Sequence, residues 1–135
     1  MFDTAPLIYF IEEHETFGNI TDEIFKIIRD EDNYYAFSSV ITLTEVLTQP
    51  LKEAKKDIVE KYRQFLLNSN NFIVYSVDSI ISEKAAKLRA SYGIKTPDAI
   101  QLAVGIENDG TLFITNDENL KKVKEIEIMV LKDYL

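Results

Sequence analysis

Apolar residues recur along the chain at two spacings, one typical of helices and one typical of short strands. The clearest helix has four apolar residues on one face and Gly93 directly after it, where glycine can end a helix. Helices that alternate with short apolar strands favour a parallel sheet covered on both faces. The pattern therefore predicts an α/β fold. The four residues on that helix face are Ile81, Ala85, Leu88 and Tyr92.

The same spacings, together with turn residues, place the individual elements. Helices are predicted at residues 6–13, from residue 21 onward, at 42–48, across 58–65, and at 79–92 and 96–107. Strands are predicted at residues 34–39, 72–75, 112–115 and 126–131, and Phe2 ends a further strand. No repeat or linker interrupts this order, so residues 1–135 are predicted to form a single domain.

Three helix boundaries depend on individual residues. Thr21 precedes two acidic residues and is expected to begin the second helix. The third helix is expected to stop before Pro50, because the residue that precedes a proline is driven away from the helical conformation. Thr96 is expected to be the N-cap of the last helix, with Pro97 as its first residue.

Composition excludes several kinds of chemistry. The 135 residues are 46% hydrophobic and 28% charged, which is ordinary for a globular domain. Cysteine is absent, which excludes disulfides, thiolate-bound zinc, iron–sulfur clusters and a cysteine nucleophile. His14 is the only histidine and lies among glutamates. A catalytic triad or a histidine-rich zinc site therefore lacks support, and His14 is expected to be a solvated surface residue.

Charge and hydropathy bear on partners and location. The net charge of -8 argues against nucleic-acid binding through bulk electrostatics, but it allows a nuclease whose acidic groups hold Mg²⁺. The longest uncharged run, residues 33–44, is too short to span a membrane. The first basic residue is Lys26, which is the wrong pattern for a signal peptide. The chain is therefore predicted to be cytoplasmic, without a membrane partner.

Four acidic residues occupy positions where they could meet. Asp3 and Asp117 follow predicted strands, Asp98 lies in the first turn of a helix, and Glu45 lies in the helix after another strand. In an open parallel sheet, ligands bind at the carboxyl ends of the strands. Carboxylates gathered there repel one another unless they are protonated or bridged by a cation, and Mg²⁺ prefers oxygen ligands.

The same four residues also have a purely structural interpretation. Asp3 and Asp98 are acids at helix starts, which the helix dipole favours, and Asp117 can be an N-cap. Glu45 can be a solvated surface residue. Spacing alone leaves both interpretations open.

Four segments resemble the PIN-domain family and occur in that family's order: DTAPLIY (residues 3–9), SVITLTEVL (39–47), TPDAIQLA (96–103) and FITND (113–117). The resemblance implies a three-layer α/β/α fold around a short central parallel sheet. It also implies a ribonuclease site dependent on Mg²⁺ or Mn²⁺. The implied catalytic and metal-binding residues are Asp3, Glu45, Asp98 and Asp117, and Thr115 matches the family's accompanying hydroxyl residue. Thr4, Ser39 and Asn116 are expected to support the site from behind, since the hydroxyls of Thr4 and Ser39 have no base beside them that would make them nucleophiles.

The resemblance implies partners as well. Many small single-domain members are VapC-type toxins of type II toxin–antitoxin pairs, which implies an RNA substrate, an antitoxin protein and a homodimer. Two alternatives stay open, namely a PIN-like RNA-processing nuclease without an antitoxin and a catalytically inert PIN-like binding module. Apolar residues on the first two helices are expected to form a partner-binding surface. They are Leu7, Ile8, Phe10, Ile11, Phe17 and Phe25.

Three positions depart from the family pattern. Only Met1 and Phe2 precede the first aspartate, so either the first strand is short or the natural start lies upstream of Met1. Ala5 stands where the family often has asparagine, which removes one potential hydrogen bond. Asn119 stands where some members have a further acid, which argues against a second tightly held metal.

Overall fold

Six helices and four strands alternate along the chain, and the computed structural model describes all 135 residues. No helix is both long enough and apolar enough to cross a bilayer. The helices are α1 (Thr4–Ile11), α2 (Gly18–Asp30), α3 (Val40–Lys52), α4 (Lys56–Asn68), α5 (Ser79–Tyr92) and α6 (Thr96–Glu107). The strands are β1 (Ala36–Ser39), β2 (Phe72–Tyr75), β3 (Leu112–Thr115) and β4 (Glu127–Val130). Short 3₁₀ helices cover Glu118–Lys122 and Leu131–Tyr134.

The strands form two parallel pairs that the N-terminal residues join. β1 pairs with β2, and β3 pairs with β4. Between the pairs, Phe2 forms a parallel bridge with Ile114 and donates its N–H to the Phe37 carbonyl at 2.9 Å. The predicted strand that ends at Phe2 is therefore reduced to this bridge. The order across the sheet is β2, β1, the first three residues, β3 and β4.

Two apolar clusters cover the two faces of the sheet, as the predicted α/β fold requires. Adjacent strand residues point to opposite faces. Phe37 and Phe113 accordingly pack with α5 and α6, whereas Ala36 and Ile114 pack with the helices α1 to α4. The protein therefore has three layers, with helices on both sides of a small parallel sheet.

The apolar residues of the first two helices are largely used inside this second cluster. Leu7 and Ile11 are buried, at 0% and 5% exposure. Phe10 and Phe25 pack with ring centroids 4.1 Å apart and ring planes tilted by 33°, and both are only partly exposed. The expectation that these residues form a free partner-binding surface is therefore wrong for the buried ones, because they pack against the sheet.

The predicted helix ends were correct where a local signal dominates and wrong where packing overrides it. α5 ends at Tyr92 as expected, since Gly93 adopts a φ of 66°. α3 runs through Pro50 to Lys52, because the proline ring is buried and only the last turn lies beyond it. α2 begins at Gly18, and the Thr21 hydroxyl donates to the Gly18 carbonyl at 2.8 Å instead of capping the helix.

Smaller shifts affect two other elements. The N-cap of α6 is Lys95, with no side-chain cap, and Thr96 is the first helical residue. β1 is shorter than predicted, because Tyr34 and Tyr35 are exposed and lie before the strand begins.

Candidate active site

The four predicted acidic residues lie at the carboxyl edge of the sheet. Asp3 follows the Phe2 bridge, and Asp117 follows β3 after two residues. Glu45 lies in α3, which starts directly after β1, and Asp98 lies in the first turn of α6. Because all strands run parallel, these positions fall at the same edge.

Asp3 is held by hydrogen bonds to both of its carboxylate oxygens. The Thr115 hydroxyl donates to Oδ2 at 2.8 Å, and the Thr4 N–H donates to Oδ1 at 2.9 Å as α1 begins. Burial raises the pKa of Asp3, these two hydrogen bonds oppose that rise, and the charges of Glu45 and Asp117 add to it.

The pKa of Asp98 depends on all three of the other acidic residues. Burial and, after it, the negative charges of Asp3, Asp117 and Glu45 together raise the pKa of Asp98 to about 6. Lys95 is the only cation that opposes this shift. Since each of the other three carboxylates acts on Asp98, the structure places all four in one electrostatic environment.

Asp117 and its two predecessors form the loop after β3. The Thr115 hydroxyl accepts from the Asp117 N–H at 3.1 Å while it donates to Asp3, so it links two of the acids. Asp117 Oδ1 accepts from the Asn119 N–H at 2.9 Å and caps a 3₁₀ helix. Asn116 faces elsewhere, since its amide donates to the Tyr9 hydroxyl at 3.2 Å. It therefore anchors the loop to α1.

The predicted supporting hydroxyls on the other side of the site connect to a residue that the sequence did not single out. Thr4 donates its hydroxyl to Glu45 Oε1 at 2.7 Å. Ser39 caps α3 and donates to Oε1 of Gln101 at 2.5 Å. Gln101 is only 1% exposed and lies on the otherwise apolar buried face of α6. A polar residue on such a face was the available signal.

The capping interpretation describes real contacts, because Asp3 and Asp117 both cap the elements that follow them. Caps alone do not account for Glu45, whose negative charge raises the pKa of both Asp3 and Asp98. No group of three or more His, Asp and Glu side chains is arranged to bind one metal ion directly. The donor set still fits a hard divalent cation, since it is made of oxygen ligands with an excess of negative charge, and Mg²⁺ usually keeps several of its waters.

The family-model comparison decides the family. The model described as the PIN domain matches residues 1–126. The chain belongs to the PIN-domain family. The predicted resemblance is thereby confirmed, together with the α/β fold, and the three layers described above are the form that this PIN domain takes.

Solved structures share the fold of this PIN domain over nearly its whole length. A chain of a toxin–antitoxin complex from Klebsiella pneumoniae is 22% identical with a TM-score of 0.71, and the match covers 96% of this chain and 94% of that chain. A chain of VapBC2 from Rickettsia felis, bound to a promoter DNA fragment, is 17% identical with a TM-score of 0.76 and covers 96% of each chain. DNA-bound VapBC from Salmonella typhimurium gives 17% identity and a TM-score of 0.74, covering 97% of this chain and 96% of that chain. No curated protein matches the sequence.

Proposed function

We propose that this PIN domain is a metal-dependent endoribonuclease. The observation that carries the proposal is the set of four carboxylates at one sheet edge, three of which raise the pKa of the fourth. Clustered carboxylates cost folding free energy unless a cation offsets their repulsion. A site for a divalent cation accounts for that cost, whereas a set of independent helix caps does not.

Each residue has a proposed part. Asp3, Glu45, Asp98 and Asp117 hold Mg²⁺ or Mn²⁺, some of them through bridging waters. A bound divalent cation supplies Lewis-acid chemistry, polarising a phosphodiester oxygen and lowering the pKa of a water. Thr115 holds the Asp3 carboxylate, and Thr4 holds Glu45. The raised pKa of Asp98 belongs to the metal-free protein, and a bound cation would lower it by favouring the ionised carboxylate.

We propose further that the protein is the toxin of a type II, VapBC-like pair. Its support is the PIN family together with a fold shared with chains of toxin–antitoxin complexes. The proposal includes an RNA substrate, an antitoxin partner, a homodimer and a cytoplasmic location. The alternatives are a PIN-like RNA-processing nuclease without an antitoxin and a catalytically inert binding module.

The decisive experiment compares Asp98→Asn with wild type in cleavage of structured RNA with Mg²⁺ or Mn²⁺. Asparagine is nearly isosteric but lacks the charge that binds a cation, so cleavage is expected to fall by a factor of at least ~100. Asp57→Asn is the matched control, because Asp57 also lies in the first turn of a helix, α4, and is exposed. Asp57→Asn is expected to cleave like wild type.

The outcomes separate the proposed functions. Equal cleavage by wild type and Asp98→Asn would refute the assigned site, and no cleavage by wild type favours the inert module. Co-expression of this protein with the product of the reading frame beside its gene, which would encode the antitoxin, tests the toxin proposal. Growth arrest that the neighbouring product relieves supports a toxin, whereas RNA cleavage without growth arrest supports the RNA-processing nuclease.

A further inference from the structure

Behind the acidic site lies a buried amide that contacts three of the hydroxyl groups around it. Gln101 Nε2 lies 2.5 Å from Thr42 Oγ1 and 3.5 Å from Thr4 Oγ1, and Gln101 Oε1 accepts from the Ser39 hydroxyl at 2.5 Å. These contacts join α6 to α1, α3 and the end of β1. No buried side-chain nitrogen or oxygen in the protein lacks a hydrogen-bond partner, so this network is fully satisfied.

Counting hydrogens assigns a direction to this network. The Thr4 hydroxyl has one hydrogen, which it donates to Glu45 Oε1 at 2.7 Å. In the 3.1 Å contact between the Thr4 and Thr42 hydroxyls, Thr42 is therefore the donor. Thr42 in turn accepts from Gln101 Nε2. The hydrogens thus point one way, from the buried amide to the Glu45 carboxylate.

Ser39 determines the orientation of the amide. Its Oγ accepts from the Ile41 N–H at 3.1 Å as the cap of α3, and its hydrogen goes to Gln101 Oε1. A rotated amide would place Oε1 against Thr42, whose only hydrogen is already directed to Thr4. The contact between the two threonines would then have no hydrogen. The observed orientation gives that contact its hydrogen. Thr42 also lies 2.8 Å from the Ser38 hydroxyl, whose one hydrogen is shared between Thr42 and the Phe2 carbonyl, also at 2.8 Å.

We propose that Gln101 is a positioning residue that holds the Glu45 carboxylate in the acidic site through Thr42 and Thr4. Glu45 is exposed on α3, and Thr4 is the hydrogen-bond partner that the structure gives to its carboxylate. Holding the Thr4 hydroxyl in one position therefore holds the Glu45 carboxylate in one position. The consequence for cation binding rests on the proposed function, whereas the effect on Glu45 itself does not.

The test measures Glu45 directly in metal-free protein and then measures cation binding. Gln101→Met keeps the side-chain length and removes the hydrogen bonds, and Thr4→Val removes the last hydroxyl while leaving the Thr4 N–H on Asp3. Thr21→Val is the matched control, because Thr21 is a fully buried hydroxyl in α2, outside the network. Thr42→Val is a second break in the network should Gln101→Met not fold.

The readouts are the ¹³Cδ resonance of Glu45 by NMR without metal and the Mn²⁺ dissociation constant by calorimetry. Gln101→Met and Thr4→Val are each expected to move the resonance and to weaken Mn²⁺ binding by a factor on the order of 10, which is typical for residues behind metal ligands. The double variant Gln101→Met/Thr4→Val is expected to bind Mn²⁺ no more weakly than either single variant, because both substitutions interrupt the same chain of hydrogen bonds. Thr21→Val is expected to change neither readout.

Two results would overturn the inference. One is a Glu45 resonance that is unchanged in Gln101→Met, as in the Thr21→Val control. The other is a double variant whose loss of Mn²⁺ affinity equals the product of the losses in the two single variants. If wild type binds no Mn²⁺, the proposed cation site is wrong, and the metal-free resonance still decides whether Gln101 positions Glu45.

Discussion

The Thr115 hydroxyl donates a 2.8 Å hydrogen bond to the carboxylate of Asp3, a residue 112 positions away in sequence. Thr115 is completely buried at the end of β3, and it also accepts from the Asp117 N–H. This one side chain therefore connects the Asp3 carboxylate to the backbone of Asp117, and it opposes the rise that burial causes in the pKa of Asp3.

Thr115→Val is expected to lower the free energy of unfolding by about 1–2 kcal/mol, because it removes a hydrogen bond to a buried carboxyl without changing side-chain shape. Urea unfolding in a chelator measures the loss. Thr111→Val, at an exposed threonine just before the same strand, is the control and is expected to be close to neutral. Equal midpoints for the two variants would contradict the assigned role of Thr115.

The metal-free protein is expected to lose stability as the pH rises from about 4 to about 6. Burial and three neighbouring carboxylates raise the pKa of Asp98 to about 6, so the folded protein keeps a proton that the unfolded chain releases near pH 4. The free energy of unfolding is therefore greatest at a pH below the pKa of Asp98 in the unfolded chain. It falls until the pH passes the pKa of Asp98 in the folded protein. Asp98→Asn removes the part of this dependence that comes from Asp98.

Urea midpoints at several pH values test this expectation. The stability of Asp98→Asn relative to wild type is expected to rise from near zero at pH 4 to roughly 1 kcal/mol at pH 7, a figure reduced for the partial exposure of Asp98. A difference that stays constant with pH would show that the pKa of Asp98 is not raised in the folded protein.

Adding Mg²⁺ is expected to raise the melting temperature of wild type by several degrees, since a ligand at ten times its dissociation constant contributes about 1.4 kcal/mol. For a domain of this size, 1 kcal/mol corresponds to roughly 3–5 °C. Differential scanning calorimetry with Mg²⁺ and with chelator measures the shift. A matched rise in Asp98→Asn would point to binding elsewhere on this acidic protein.

Gly110→Ala is expected to cost roughly 1–3 kcal/mol. An added Cβ would lie 2.8 Å from the Gly105 carbonyl oxygen and 2.9 Å from the Phe37 ring, and a backbone atom cannot move aside cheaply. Gly105→Ala is the comparison, because its Cβ would meet the flexible end of Met1 at 3.0 Å while helix α6 gains propensity. Thermal melts should rank Gly110→Ala clearly below Gly105→Ala.

Local signals in the sequence were sufficient for several elements. The predicted bounds of β2, β3 and α5 agree with the structure, since each has a short apolar run or a helical stripe next to a turn residue. Packing decided other boundaries. Pro50 stays inside α3 because its ring is buried, and Thr21 lies inside α2 with its hydroxyl bonded to the preceding turn.

In the candidate site too, local sequence features predicted some residues and missed another. The positions of Asp3, Asp98 and Asp117 followed from strand ends and helix starts, which are local features. Gln101 did not, because its contacts with Ser39 and Thr42 join residues 62 and 59 positions apart. No local pattern reports hydrogen bonds over such separations.

The sequence by itself determined the alternation of helices and strands, the α/β class and the acidic residues at the strand ends, because hydrophobic period and turn chemistry act over a few neighbouring residues. Only the tertiary structure decided that Phe2 joins two strand pairs through one bridge, that Thr115 reaches Asp3, and that a buried amide directs a chain of hydroxyls. Those outcomes depend on which elements pack together and on every buried polar group finding a partner, and both conditions are met only when the whole chain is folded.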